Sequence, residues 1–342
     1  MIVNSGDKNP ERKIQGGEAK EETQNGSGNM RIGVDIGGTK IVAGVVDEKG
    51  AVIFAKKVPT EAAKGYEAVK ENIVGLVWDT IETSGVSIQA IEQIGIAVAG
   101  QIDKTSKKVL FSPNMGWRNV PLKDDLEKAF GVKTYIENDV NAATYGEWKF
   151  GLKGIPSDVL GIFIGTGIGG GIIIDGKLYR GFSSVGGEVG HTILNPHGYK
   201  CNCGNRGCFE AYCGGSYIIG RVREKLQEGY RGRVMDIIGG NIEDLHTGAI
   251  EEAYLLGDDL CTRVWQEVVE YLGAGIASLV NLLNPQTVIL GGGVVYGAKY
   301  LIDEMRSVLD KRAMAASLEG LQIVRATLGE EAALLGVSYI DE

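Results

Sequence analysis

One histidine, three cysteines and two glutamates fall within two dozen residues of this chain: Glu188 and His191 in Gly187-Glu188-Val189-Gly190-His191, then Cys201, Cys203, Cys208 and Glu210. The spacing Cys-x-Cys-x4-Cys lets three thiolates wrap one metal ion, and the interleaved Gly204 and Gly207 permit a tight knuckle. The fourth place in a tetrahedral shell falls to His191 or, in an all-cysteine site, to Cys213. A thiolate-rich set of four favours Zn²⁺ and leaves no open position, so the expected metal is structural. Glu188 and Glu210 are hard oxygen groups beside soft ligands and are expected to serve something else. His197 and His246 have no comparable setting and are expected at the surface.

A second set of residues could handle phosphate. Gly37-Gly38-Thr39-Lys40 and Gly165-Thr166-Gly167-Ile168-Gly169-Gly170 are glycine turns, whose N–H groups can approach phosphate oxygens closely. Either turn is equally readable as a plain β-hairpin. Gly165, Gly167 and Gly170 satisfy the dinucleotide spacing G-x-G-x-x-G, but Gly171-Ile172-Ile173-Ile174 reads as a strand where that fingerprint needs a helix. Asp35 is a charge in an apolar strand, costly unless paired or bound to a cation. Glu137-Asn138-Asp139 lies where a strand turns into a helix. Its Asn and Asp suit an N-cap, and Asp139 equally suits a base that accepts a substrate hydroxyl proton in phosphoryl transfer. Asn114 reads as a turn residue.

These groups must be held by alternating strands and helices. Arg31 to Val46 reads as strand, glycine turn, strand, followed by a turn at Asp47 to Gly50 and a third strand over Ala51 to Val58. Tyr66, Val69, Ile73, Leu76, Val77 and Ile81 recur at helical spacing. Strands follow at Ile94 to Val98 and Thr134 to Glu137, with a helix from Asp139. The strand–glycine–strand–turn signal then recurs from Val159 to Gly176, which suggests an internal duplication and two α/β domains facing across a cleft. Leu260, Val264, Val268, Leu272, Ile276 and Leu279 mark a long helix stopped by Asn284-Pro285. A strand at Thr287 to Leu290, a turn at Gly291 to Gly293, and helices at Lys299 to Leu309 and Glu330 to Ser338 complete the chain. The expected division is a disordered tail over 1–29, a small α/β domain over 30–140 plus 328–342, and a large domain over 141–327.

The 342 residues carry a net charge of −9, which argues against a general nucleic-acid binder. No apolar run approaches the ~20 residues that span a bilayer, and the N-terminus has no signal-peptide core. Clustered cysteines at ligand spacing point to metal and a reducing compartment rather than to disulfides. Cys261, in an apolar helical stretch, reads as a buried small hydrophobe.

The motifs Asp35 to Lys40, Glu137 to Ala142, Gly165 to Gly170, Gly187 to His191 and the Cys201 to Glu210 knuckle together resemble the ROK family of bacterial sugar kinases, repressors and relatives. From Met30 onward the chain looks most like its ATP-dependent glucokinases. The resemblance implies a two-lobed ribonuclease-H-like α/β fold, shared with actin, heat-shock chaperone ATPases and hexokinase. It implies a cytoplasmic enzyme that phosphorylates the 6-hydroxyl of glucose, with Asp139 as general base. Gly100, Asn114, Asn138, Asp139, Glu188, His191 and Glu210 would meet the sugar. Asp35, Gly37, Gly38, Thr39, Lys40, Thr166 and Gly167 would face the phosphates of ATP and Mg²⁺, with Gly291, Gly292 and Gly293 near the adenosine. It implies structural Zn²⁺ on His191, Cys201, Cys203 and Cys208, and a homodimer or homotetramer. Nucleic acid and membrane are not expected partners, since the polar tail is too short for the DNA-binding domain of family repressors. Another hexose or an N-acylhexosamine as acceptor, polyphosphate as donor, and a non-catalytic sugar sensor are the alternatives.

Overall fold

The computed structural model describes residues 29–341. The expected disordered tail falls on residues outside this range, apart from Asn29. Chain contacts divide the protein into two units. The first comprises residues up to Lys153, the segment Arg180–Val185, and Glu330 onward; the second comprises Gly154–Tyr179 and Gly186–Gly329. Residues 141–153 and 180–185 thus fall in the first unit, where the sequence reading put them in the large domain.

The first unit is built on β1 (Met30–Ile36), β2 (Lys40–Val46), β3 (Val52–Pro59), β4 (Ile91–Val98) and β8 (Thr134–Asn138), in the order β3-β2-β1-β4-β8. The hairpins β1-β2 and β2-β3 are antiparallel, whereas β4 and β8 add parallel to β1. Short strands β5 (Gln101–Ile102), β6 (Val109–Ser112) and β7 (Trp117–Val120) make a separate small sheet. Helix α1 (Tyr66–Ser84) buries Val69, Ile73, Leu76, Val77 and Ile81 of the predicted stripe and leaves its first member, Tyr66, partly buried. Helices α2 (Leu122–Phe130) and α3 (Asp139–Gly146) follow.

The second unit repeats that strand pattern. Strands β9 (Val159–Ile164), β10 (Ile168–Ile174), β11 (Lys177–Leu178), β12 (Thr287–Gly291) and β13 (Gln322–Arg325) lie in the order β11-β10-β9-β12-β13. Again two antiparallel pairs are followed by two parallel ones. This shared topology supports the duplication read from the sequence. Gly169, Gly170 and Gly171, of which the first two were read as turn, pair with β9, so the turn shrinks to residues 165–167. The strand that follows excludes a dinucleotide fingerprint.

The helices of this unit are α4 (Phe209–Cys213), α5 (Gly215–Gln227), α6 (Arg233–Ile237), α7 (Thr247–Leu255), α8 (Asp259–Leu283), α9 (Gly293–Gly297), α10 (Leu301–Arg312) and α11 (Ala315–Leu318). Asp258 caps α8 by accepting from the N–H groups of Leu260 and Cys261, and Asn284 ends it in the left-handed conformation before Pro285. All six residues of the predicted stripe on α8 are buried, as is Cys261. His246 is exposed as expected, but its Nδ1 accepts from Ala249 N at 3.1 Å and caps α7. Among the described residues no helix is long and apolar enough to cross a membrane.

The chain then returns to the first unit as α12 (Ala332–Tyr339), every residue of which is buried. It packs on β1, β4 and α3 backbone to backbone. A Cβ on Gly95 would lie 1.9 Å from Val337 O, and one on Gly336 would lie 1.8 Å from Ala142 O. Gly95→Ala should therefore cost about 1–3 kcal/mol or more by overpacking. Thermal unfolding checks this: a midpoint equal to that of the unsubstituted protein would contradict the close packing.

Candidate functional site

In the first unit, the candidate residues gather at the carboxyl ends of three adjacent parallel strands, where open α/β sheets place their ligands. Asp35 is the penultimate residue of β1 and lies in register with Ala97 of β4, itself opposite Glu137 of β8. The loop after Asp35 is pinned: Gly37 N donates to Lys40 O at 3.0 Å, and Thr60 donates to Gly37 O through its hydroxyl and to Thr39 O through its N–H. Gly38 and Thr39 are left exposed, and Asn114 packs beside Gly38. Lys40 pairs with Glu330 at 2.7 Å, an exposed contact of small energetic worth.

Past β4, Gly100 O accepts from Asn138 Nδ2 at 3.2 Å. Asn138 is the N-cap of α3: its Oδ1 accepts from Val140 N at 2.9 Å and Asn141 N at 3.0 Å. The capping reading therefore holds for Asn138, and at most one of its amide hydrogens is left for a ligand. Asp139 is not the cap; it sits partly buried as the first helical residue. The buried Glu137, 5% exposed, takes Asn138 N and Asn141 Nδ2 on Oε1 and Arg180 Nε on Oε2. Nothing in the sequence pointed to Arg180.

Asp35 retains some solvent contact, yet the protein around it is dense. Burial first, and the charge of Asp139 second, push its carboxyl up to about 7, against a smaller opposing pull from Lys40. Two carboxylates that raise one another's proton affinity offer oxygen ligands of the kind a divalent cation takes.

In the second unit, His191, Cys201, Cys203 and Cys208 bring their ligand atoms within 4.8 Å of one another. Cys203 Sγ lies 3.6 Å from Cys208 Sγ, and His191 Nδ1 lies 3.8 Å from Cys201 Sγ. These are close to the edge of a tetrahedron built on metal–sulfur bonds of ~2.3 Å. The cluster fits a zinc site. Cys213 is not part of it: that thiol is fully buried, points to Val268 O, and is pushed up by burial. The knuckle is a small hairpin, with Cys201 N donating to Asn205 O and Gly207 N to Tyr199 O. Gly207 has φ +72° and runs against Asn195 O, where a Cβ would not fit. Tyr217, which the sequence reading missed, accepts from Asn202 N at 2.8 Å and reaches Cys201 Sγ with its hydroxyl.

Glu210 lies two residues after Cys208, in the first turn of α4. Its Oε2 accepts from Ile168 N at 2.9 Å, and Oε1 lies 3.8 Å from Cys201 Sγ. Gly167 approaches the same carboxylate so closely that a Cβ there would lie 2.2 Å from Oε2. Glu188 is exposed, and its carbonyl accepts from His191 N. The loop 165–167 is held by Gly215 N on Gly165 O and Ser216 N on Thr166 O. It follows β9, and its parallel neighbour β12 ends at Gly291, with Gly292 next and Gly293 opening α9, so both glycine segments lie at the same end of the second sheet. Gly292 has φ +92° and abuts Ile164 O.

The raised Asp35 has a consequence for stability. The folded state holds this proton more tightly than the unfolded chain. Its contribution is present below the unfolded value near 3.8 and is lost as pH rises through about 7. Without metal or nucleotide, Asp35→Asn should be more stable than the unsubstituted protein at pH 8. The gap should close toward pH 4. Urea unfolding across pH 4 to 8 would refute the assignment if the two curves ran parallel.

The ROK family profile matches residues 31–341. A glucokinase of Streptomyces coelicolor is 35% identical over 312 residues, covering 90% of this chain and 96% of that protein. A xylose repressor of Caldicellulosiruptor bescii is 33% identical over 89% of this chain and 76% of its own length. The crystal structure of a ROK family glucokinase from Streptomyces griseus, in complex with glucose and AMPPNP, aligns with TM-score 0.76 at 36% identity, covering 90% of this chain and 98% of that one. By profile, identity and fold alike, this chain belongs to the ROK family and has the actin- and hexokinase-like α/β fold of ROK sugar kinases.

Proposed function

We propose that the protein transfers the γ-phosphoryl group of ATP to the 6-hydroxyl of glucose in the cytoplasm, with Asp139 as general base. The observation that carries this reading is Asp139 itself, a carboxylate at the first position of α3, just past the end of a parallel strand, whose charge acts on Asp35. Support also comes from the relatives, one of which is a glucokinase holding glucose and AMPPNP.

In this reading Asp139 accepts the proton of the 6-hydroxyl as its oxygen bonds to the γ-phosphorus and ADP departs. Glu188, Glu210 and the Nε2 of His191 accept or donate hydrogen bonds at the sugar, with Gly100, Asn114 and the remaining amide hydrogen of Asn138. Every matched group raises the penalty for an analogue lacking its hydroxyl. The N–H groups of Gly37 to Lys40 and of Thr166 and Gly167 hold the phosphates, with Gly291 to Gly293 at the adenosine. Asp35 is the residue that would hold Mg²⁺, which supplies charge neutralisation on the phosphates. His191, Cys201, Cys203 and Cys208 would hold Zn²⁺, whose part is to fix the loop that carries His191 and Glu210.

A coupled ATP-consumption assay across hexoses and N-acylhexosamines tests the acceptor, and polyphosphate in place of ATP tests the donor. Turnover of an N-acylhexosamine with none of glucose would sink the glucose reading. A non-catalytic sensor has one observation in its favour, the similarity to a xylose repressor, and predicts no turnover with any sugar. Asp139→Ala should lose about 10²–10⁴-fold in turnover while calorimetry still detects glucose binding. Near-normal rates would remove Asp139 from its role.

Cys203→Ser should release zinc, read by elemental analysis, and raise the glucose KM although no cysteine touches the sugar. Zinc loss with an unchanged KM would confine the metal to the fold.

A further inference from the structure

Arg180 has no place in the reading above, yet it pairs with Glu137, two residues before Asp139. The segment Arg180–Val185 belongs by contact to the first unit, although the second unit's residues flank it on both sides. Its anchor is Arg180 Nε, 2.6 Å from Glu137 Oε2, with the carboxylate side chain only 6% exposed. Lys104 over the ring of Phe182 is a second, looser contact. On its other oxygen Glu137 takes Asn138 N and Asn141 Nδ2, each at 3.0 Å. These are the residues on either side of the first helical turn of α3, so one carboxylate ties the residue before Asp139 to the residue two after it.

We propose that Arg180 is a positioning residue for Asp139, acting through Glu137. The inference rests on the kinase reading for its functional meaning. A buried carboxylate without a partner either takes up a proton or draws in water. Either change weakens or moves its two hydrogen bonds to the start of α3. The guanidinium holds the Glu137 carboxylate in place, so that Asn138 and Asn141 are held and Asp139 projects at one angle. Misplacement of a reacting group by about 1 Å can cost roughly 100-fold in rate, and that is the effect available to Arg180.

The test uses the full chain with Arg180→Met and Arg180→Lys, and two readouts. The first is steady-state kinetics with glucose and ATP. Arg180→Met should lose roughly 10- to 100-fold in kcat with both KM values within about twofold, and Arg180→Lys should recover most of that loss. The second is the side-chain carboxyl carbon resonance of Asp139 at pH 8 in aspartate-labelled protein, assigned by its disappearance in Asp139→Asn. It should move in Arg180→Met and return toward its original position in Arg180→Lys. A melting curve for each variant separates misfolding from misplacement. An Asp139 resonance that stays put in a folded Arg180→Met protein overturns the proposal, whatever happens to turnover. If the unsubstituted protein phosphorylates no sugar, the kinase reading fails, and the resonance alone still decides whether Arg180 positions Asp139.

Discussion

The first unit depends on the contact of α12 with β1, β4 and α3. At four points there is no room for a side chain: Gly33, Gly95, Gly146 and Gly336 each place backbone against backbone. The gain is rigidity. Asp35, Gly100 and Asp139 sit at or just beyond the ends of the three elements that α12 clamps, so their separations are set by main chain rather than by rotamers. Charges that repel, as Asp35 and Asp139 do, can be kept together only on such a support.

The two sheets share one strand order but have diverged at their carboxyl ends. The first collects carboxylates and an asparagine cap. The second collects glycine loops and a thiolate knuckle. In the second, the knuckle and the glycine loop share a support: Glu210 lies two residues after Cys208, touches the Cys201 thiol, and takes a hydrogen bond from the end of the glycine loop. Metal site, carboxylate and loop therefore form one mechanical object. The absence of a Cβ at Gly167 is what allows the loop to lie against the carboxylate.

Much of this was legible in the sequence, for physical reasons. Long amphipathic helices such as α8 announce themselves because burial repeats over seven turns, and the cysteine knuckle because thiols at ligand spacing have few other uses. Short elements were not legible. Strands β5 to β7 have two to four residues each, too few for a period to show. Helices α4, α6 and α7 are similarly brief, although Ile218, Val222 and Leu226 on α5 did carry a readable spacing. The fourth metal ligand and the duty of Asn138 were open because both depend on where separate segments meet. The Glu137–Arg180 pair was invisible for the same reason: 43 residues separate its partners, and neither is unusual in its own neighbourhood.

The division of the chain also sets an order of events at the ribosome. Apart from six residues, the second unit is a single continuous stretch, and it can complete its core as soon as residue 329 has emerged. The first unit begins at the N-terminal side but cannot close until α12 appears, nearly at the last residue. Its sheet therefore waits, one apolar face uncovered, while more than half of the protein is synthesised. A nascent chain of this kind has reason to be held by a chaperone, and a chain cut short just before Ala332 would hold a finished second unit joined to a first unit that never seals.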